Sequence, residues 1–249
     1  MIKIFYVVCL AMLIAGCKTL YVSDTTLEYE RVADEVVTGD SDILQLIAPY
    51  REQLEAQMNE VIGELDKDLI KESPESDIGN WLADMMYEES INLNNGVLDF
   101  ATQNQGGVRV SGLTAGPITI GEIFEVMPFD NMLTVISATG AETQTFLDHI
   151  ARGRGWPISK QLQFKIKDQK AIDVLINGAP LDPERTYHFA VPDYIAGGGS
   201  GSDMLRSMKQ RDLGVLMRDA FIDHLKKDMA NGIVQTAVKE GRIINLDNE

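Results

Sequence analysis

Asp193-Tyr194-Ile195-Ala196-Gly197-Gly198-Gly199-Ser200-Gly201-Ser202 is the stretch on which the reading of the chain turns. It follows directly on Thr186 to Pro192, which alternates like a strand and stops at Pro192 because proline has no N–H to donate. Four glycines and two serines then predict a loop. Without a Cβ, glycine admits positive φ and lets the backbone come close to a ligand, and Tyr194 sets a flat ring beside it. A turn tightened only for packing fits the same residues, so the choice rests on the rest of the chain.

Downstream, Leu213 to Met229 predicts an amphipathic helix with Leu216, Met217, Ala220, Phe221 and Leu225 inward, and Arg242 to Leu246 an edge strand. Upstream, Leu162 to Ile166 and Ile172 to Ile176 alternate as strands, and Asn177-Gly178 is a turn leading toward Leu181. Arg152 to Pro157 reads as an exposed loop. Thr139 with Glu142 and Thr119 with Glu122 are capping boxes, which start helices over Ala141 to Ala151 and Ile120 to Val126. Between those helices, Met132 to Ala138 is a β-type run. Val97 to Ala101 is a short strand that enters a second glycine-bearing loop, Gln103 to Arg109, with one cation at its far edge.

Ile78 to Ile91 predicts a helix with Trp81, Leu82, Met85 and Met86 on one side, separated by the break around Pro74 from an earlier helix. That earlier helix starts at Ser41 or Asp42, and its apolar positions Leu44, Ile47, Leu54, Met58, Val61, Ile62 and Leu65 recur at three and four, as on a face laid against a core. Helices and strands interleave without regular βαβ spacing. The expected fold is therefore α+β, a single domain over 41–249 with a mixed β-sheet packed by helices.

The chain has 249 residues, 45% of them hydrophobic, enough for one sizeable core. Its formal net charge of −16 and its lack of any extended basic patch exclude the counterion-release attraction that drives binding to nucleic-acid polymers. Residues 1–17 read as a targeting segment: Lys3 is the positive end, Ile4 to Ile14 the apolar run, and Ala15-Gly16-Cys17 the small-residue end. Leu13 to Cys17 resembles the bacterial lipobox, which implies lipidation of Cys17 and a lipid-anchored cell-envelope protein facing the periplasm or outer membrane. An ordinary cleaved signal peptide is the other reading. Residues 18–40, polar and acidic, read as a tether. Cleavage before Cys17 would leave one thiol, so no disulfide could form within the chain.

Several chemistries lack their residues. Two-metal hydrolysis needs clustered histidines and carboxylates, whereas His149, His188 and His224 fall on separate elements without metal-ligand spacing. No Gly-x-Ser-x-Gly elbow occurs, and the loop at 197–201 lacks the lysine of a phosphate-cradling loop. No catalytic or metal-ligating residue is assigned.

Four segments, in order, resemble motifs of the C-terminal domain of the 5'-nucleotidase family, which includes bacterial nucleotidases and UDP-sugar hydrolases. Glu75 to Asp84 is similar to its Glu-Ser/Thr-x-Leu-Gly-Asn opening helix and Asn104 to Arg109 to its Asn-Gly-Gly-Gly-Ile-Arg; Met127 to Asn131 is similar to its Pro-Phe-Gly-Asn, and Asp193 to Gly201 to its Asn-Asp-Phe-x-Ala-x-Gly-Gly-Asp-Gly. The resemblance spans roughly residues 42 to 246. It implies that Phe129 and Tyr194 sandwich a nucleobase, that Asn131 hydrogen-bonds it, and that Arg109 meets the phosphate side; Asn104, Gly199 and Ser200 complete the binding set.

The sequence departs from the family at Ser200, which stands in place of an aspartate, and at Gln105 and Asp130, each in place of a glycine. Lys71 is the one cation where the family often has additional arginines. The metal-holding catalytic domain of the family is absent from this sequence. The resemblance thus implies a nucleoside- or nucleotide-binding lipoprotein that works with a separate metallophosphoesterase, on which the divalent metal pair would sit. A stand-alone nucleoside-binding surface protein, or an interaction domain whose pocket has decayed and whose two rings only pack the core, are the alternatives.

Overall fold

The computed structural model describes residues 41–248. The targeting segment with Cys17 and the tether over 18–40 lie outside the described residues. In chain order the elements are α1 (Ser41–Met58), β1 (Val61–Leu65), β2 (Leu69–Ile70), α2 (Asp77–Leu93), β3 (Phe100–Ala101), β4 (Gly112–Leu113), β5 (Gly116–Thr119), α3 (Ile120–Val126), β6 (Met132–Thr139) and α4 (Gly140–Arg152). There follow β7 (Leu162–Lys167), β8 (Lys170–Ile176), β9 (Ala179–Pro180), β10 (Thr186–Pro192), α5 (Asp193–Ala196), β11 (Lys209–Leu216), α6 (Met217–Ala230) and β12 (Ile243–Asn245). Residues up to Pro49, the first half of α1, form one unit, and the chain from Tyr50 onward forms a second, compact one.

Its sheets are mixed, as expected, but they are several. One four-stranded sheet has the order β11-β6-β10-β3 and another the order β12-β7-β8-β9, with β1-β5 and β2-β4 as two-stranded pairs. In the first, β6 is antiparallel to both β11 and β10, while β3 runs parallel to β10 through Phe100↔Phe189 and Ala101↔Ala190. Side chains alternate across a strand, so this sheet divides the interior in two. Leu133, Val135 and Ala190 face a core shared with α2, α3 and α6. Ile136, Ala138, Phe189 and Val191 face a second core shared with α4, β7 and β8. There Phe189 lies between Phe100 and Phe146, with ring centroids 4.8 and 5.4 Å apart and planes within 10°.

Both capping boxes form, at Thr119–Glu122 and Thr139–Glu142. Ser76 caps α2, whose buried side carries Trp81, Leu82, Met85 and Met86. Two expected helices are corrected. The first ends at Met58 instead of reaching Leu65, and Val61 to Leu65 pairs with β5. A bulge between Val61 and Gly63 puts Ile62 and Leu65 on the buried side, so a strand satisfies the spacing that reads as helical. Along this face of the helix Leu54 is exposed, and Met58, at its end, packs half-buried against the first core. The last helix begins at Met217, because Lys209–Leu216 is β11, a strand paired to β6 with its own register shift between Asp212 and Leu216. The loop expected after Pro192 contains one helical turn, Asp193–Ala196. Val97–Ala101 keeps only Phe100–Ala101 as strand, and 243–245 forms the expected edge strand.

Buried charges tie distant segments. Arg242, 3% exposed, donates to both carboxylate oxygens of Asp84 at 2.9 and 2.7 Å, to Glu240 and to the Ile158 carbonyl. His224 of α6 is nearly buried among three carboxylates: its Nδ1 is 2.8 Å from Glu89, and its Nε2 is 3.3 Å from Asp228 and 3.8 Å from Glu88. The hydrogen bond to Glu89 first, then the charges of Asp228, Glu89 and Glu88, raise the imidazole pKa above its ordinary 6.5 against the opposing effect of burial. A raised folded-state pKa gives stability that is full below the unfolded value and is lost as pH rises through the folded one. The melting temperature is therefore expected to fall as pH climbs from about 6.5, and His224→Gln to flatten that slope. Calorimetric scans across this range check it; parallel profiles for wild type and variant would contradict it.

Candidate functional site

Strand direction gathers the site. β3 and β10 run parallel, so the loops leaving their carboxyl ends, 103–109 and 193–202, emerge together. β6 is antiparallel to β10, so the segment that enters it, 127–131, arrives at the same end. Between the three loops lies a cleft of about 400 Å³ lined by Asn104, Gly106, Gly107, Arg109, Phe129, Asn131, Tyr194 and Ser200.

Tyr194 is the second residue of α5 and is 51% exposed. Its hydroxyl accepts the Ser200 N–H at 3.2 Å, which folds the glycine loop back over the ring. Gly199 is required for that approach, because a Cβ there would stand 2.5 Å from the ring carbons Cε1 and Cζ and from the Tyr194 carbonyl. Ser200 adopts φ 53°, a left-handed conformation, and its carbonyl accepts from His149 Nε2 of α4 at 2.9 Å. Gly198, with φ +89°, leaves room for Arg206, whose Nε donates to the Gly197 carbonyl at 2.7 Å.

Phe129 faces the cleft from the second loop and is 47% exposed. The two rings therefore do not pack the core. Asn131 is half-buried, and its carbonyl accepts the Met217 N–H at 2.8 Å. Arg218, next to Met217, donates to the carbonyls of Met127 and Phe129, both at 3.3 Å, and to Asp130 Oδ1 at 2.5 Å. In the third loop the Gly107 N–H bonds to the Asn104 carbonyl at 2.9 Å and closes a 3₁₀ turn.

Arg109 is exposed; its guanidinium lies 5.7 Å from the Phe129 ring centroid and donates to the Gly106 carbonyl at 3.3 Å. Lys71 donates to the Val108 carbonyl at 2.7 Å, and it borders with Arg109 an adjoining cleft. Partial burial, then the charge of Arg109, hold the Lys71 pKa below the ordinary lysine value. The main cleft's described lining has one cation and no carboxylate, in a chain of net charge −16. Such a surface can stack a planar ring, offer amides to its edge and attract an anion. It offers no metal-ligand set, and among the described residues no group of three His, Cys, Asp or Glu is placed to hold a metal ion.

Of the residues expected from the sequence, Asn104, Arg109, Phe129, Asn131, Tyr194 and Ser200 line one cleft. Gly199 does not line it and acts beneath the Tyr194 ring instead. Gly106 and Gly107 also line it, while His149 and Arg218 hold its loops from behind. The glycines were legible in their loop, but neither support residue had a local sign, because each partner lies more than fifty positions away.

This architecture is an α+β domain built of two mixed four-stranded sheets, two short strand pairs and helices. The family model for the 5'-nucleotidase, C-terminal domain matches residues 61–207, and the chain belongs to that family. It is 28% identical over 235 residues to the cell wall protein Lmo0130 of Listeria monocytogenes, covering 83% of this chain and 29% of that protein. With the 5'-nucleotidase of Vibrio parahaemolyticus it shares 29% identity, over 68% of this chain and 30% of the other. The chain thus spans less than a third of the length of these curated relatives. Among solved structures, a 5'-nucleotidase precursor from Thermus thermophilus superposes with a TM-score of 0.69 at 30% identity, over 82% of this chain and 43% of that one.

Gly199→Ala is expected to drive the Tyr194 ring from its position and break its hydrogen bond with the Ser200 N–H, with little effect on the two cores. NMR shifts of the Tyr194 ring and the Ser200 amide in wild type and variant check this; unchanged shifts would show that the contact is not limiting.

Proposed function

We propose that the cleft binds a nucleotide and that this chain is the substrate-recognition part of a nucleotide-dephosphorylating system. The observation that carries the reading is the pair of half-exposed rings, Phe129 and Tyr194, which come from loops far apart in sequence and line one cleft with Arg109. Two aromatic faces give stacking that tolerates any base. The Asn131 amide can donate to and accept from the base edge, Asn104 and Ser200 are polar groups available to the sugar, and Arg109 is the cation for the phosphate. Membership of the 5'-nucleotidase C-terminal domain family and the nucleotidase names of its relatives support this reading. Hydrolysis would belong to a separate metallophosphoesterase holding the divalent metals, for which the described residues of this chain offer no ligand set.

Calorimetry of the region from Lys18 onward against adenosine and adenosine monophosphate tests the site. Phe129→Ala and Tyr194→Ala should each remove about 1–3 kcal/mol of stacking, and in a double-mutant cycle they should couple by roughly 0.5 kcal/mol or more. Arg109→Ala should weaken the monophosphate, spare the nucleoside and flatten the salt dependence. Absence of binding by the wild type, or binding indifferent to both rings, would overturn the assignment.

The lipobox-like run ending at Cys17 supports attachment to the cell envelope through lipid, as does the relative named as a cell wall protein. Cys17→Ala should abolish incorporation of labelled fatty acid in cells. Retained label would refute the anchor.

A further inference from the structure

We propose that Arg218, with Asp130 as its counter-ion, is the positioning residue that sets the Phe129 ring and the Asn131 amide for the ligand, an inference that rests on the nucleotide-binding reading of the cleft. The segment 127–131 carries both ligand-facing groups yet belongs to no helix or strand. One helical turn holds it. The Met217 N–H takes the Asn131 carbonyl at 2.8 Å, and the Arg218 guanidinium takes the carbonyls of Met127 and Phe129 and the Asp130 carboxylate. The guanidinium is itself fixed: Arg218 is 8% exposed, and its Cζ lies 4.0 Å from the ring centroid of Phe124, which packs against the core. Four of the segment's five residues are therefore referred to the first turn of α6. A lysine could not do this, since one ammonium lacks the planar fork that reaches separate acceptors at once.

Asp130 gives the clamp a second effect. It stands where the family motif has glycine, its side chain is 75% exposed, and it adjoins the ring that, with Tyr194, faces the cleft. A bare carboxylate there would repel an anionic ligand. With its oxygen 2.5 Å from Arg218 Nη2 the charge is paired, and the cleft keeps its local preference for anions. Arg218 thus acts on the site twice, through loop geometry and through the field at the cleft mouth, without touching the ligand.

The test measures the loop first without ligand. In Arg218→Gln, hydrogen exchange over 127–131 should quicken by about tenfold or more while α2 and α4 keep their protection. In the same protein the Kd for adenosine monophosphate should rise about tenfold, with Arg218→Lys recovering only part of the loss. In a Phe129→Ala background the Arg218→Gln substitution should raise the Kd less than it does in the wild type, because the share of its effect that runs through the ring is gone while those through Asn131 and Asp130 remain. An arginine needed only for general stability would cost the same in both backgrounds, and that result overturns the proposal. Unchanged exchange at 127–131 overturns it as well. Should the wild type bind no nucleotide while the exchange effect is present, the functional reading of the cleft fails and the clamp stands.

Discussion

The parallel pairing of β3 with β10, beside an antiparallel β6, is the constraint on which the site depends. Only two residue pairs make the β3–β10 ladder, but they bring the loops 103–109 and 193–202 to one end of the sheet, the end at which 127–131 enters β6. With β3 antiparallel instead, the loop carrying Asn104 and Arg109 would open at the far end. The ladder is short and is reinforced from inside: Phe100 and Phe189, opposite each other in register, stack in the second core with Phe146 beyond them. Backbone hydrogen bonds from Asp99 to His188 and from Thr102 to Ala190 extend the pairing past the strand ends. A buried aromatic stack thus stands directly under the loops that present the exposed aromatic pair.

α6 is the second support. Its first turn carries Met217 and Arg218 under the 127–131 segment, and its middle buries Phe221 and Leu225 in the core it shares with α2. His224, set against Glu88, Glu89 and Asp228, seats the same helix electrostatically. Desolvating charge is costly unless it is paired, and here each nearly buried cation, Arg218, His224 or Arg242, has a carboxylate within 3 Å. The same economy holds on the surface of the cleft. In a strongly acidic chain, carboxylates are kept out of its lining, and Asp130, which follows Phe129 in sequence, is paired with Arg218.

Two of the three departures from the family motifs acquire a side-chain partner. Gln105, in a glycine position, donates its side-chain amide to the Glu72 carbonyl at 2.9 Å. Asp130 meets Arg218. Ser200 has no side-chain role of that kind; its backbone instead joins Tyr194 on one side and His149 on the other. Of the three, only Ser200 lines the cleft, while Gln105 and Asp130 bond to groups outside its lining.

The sequence by itself determined whatever local chemistry controls. Capping boxes at Thr119 and Thr139, the alternation over Thr186 to Pro192 and the break before Asp77 placed α3, α4, β10 and the start of α2, because a cap or an alternating face is a property of neighbours in the chain. Asn104, Arg109, Phe129, Asn131, Tyr194 and Ser200 were picked out by resemblance to the family's motifs, each of which is a short segment of sequence. Tertiary structure decided the rest. Ile62 and Leu65 fit a helical face as well as a bulged strand, and only the partner β5 resolves that ambiguity. Lys209 to Leu216 carries charge and a glycine and shows little alternation, so its strand exists because β6 offers an open edge. Gly199 moves from the binding set to the seat of Tyr194, and Arg218, which nothing local in the sequence singles out, is buried against the 127–131 segment, since both depend on which atoms lie across space. Packing between segments tens of residues apart leaves no trace in local periodicity, and it was packing that brought two separate rings and one arginine to a single cleft.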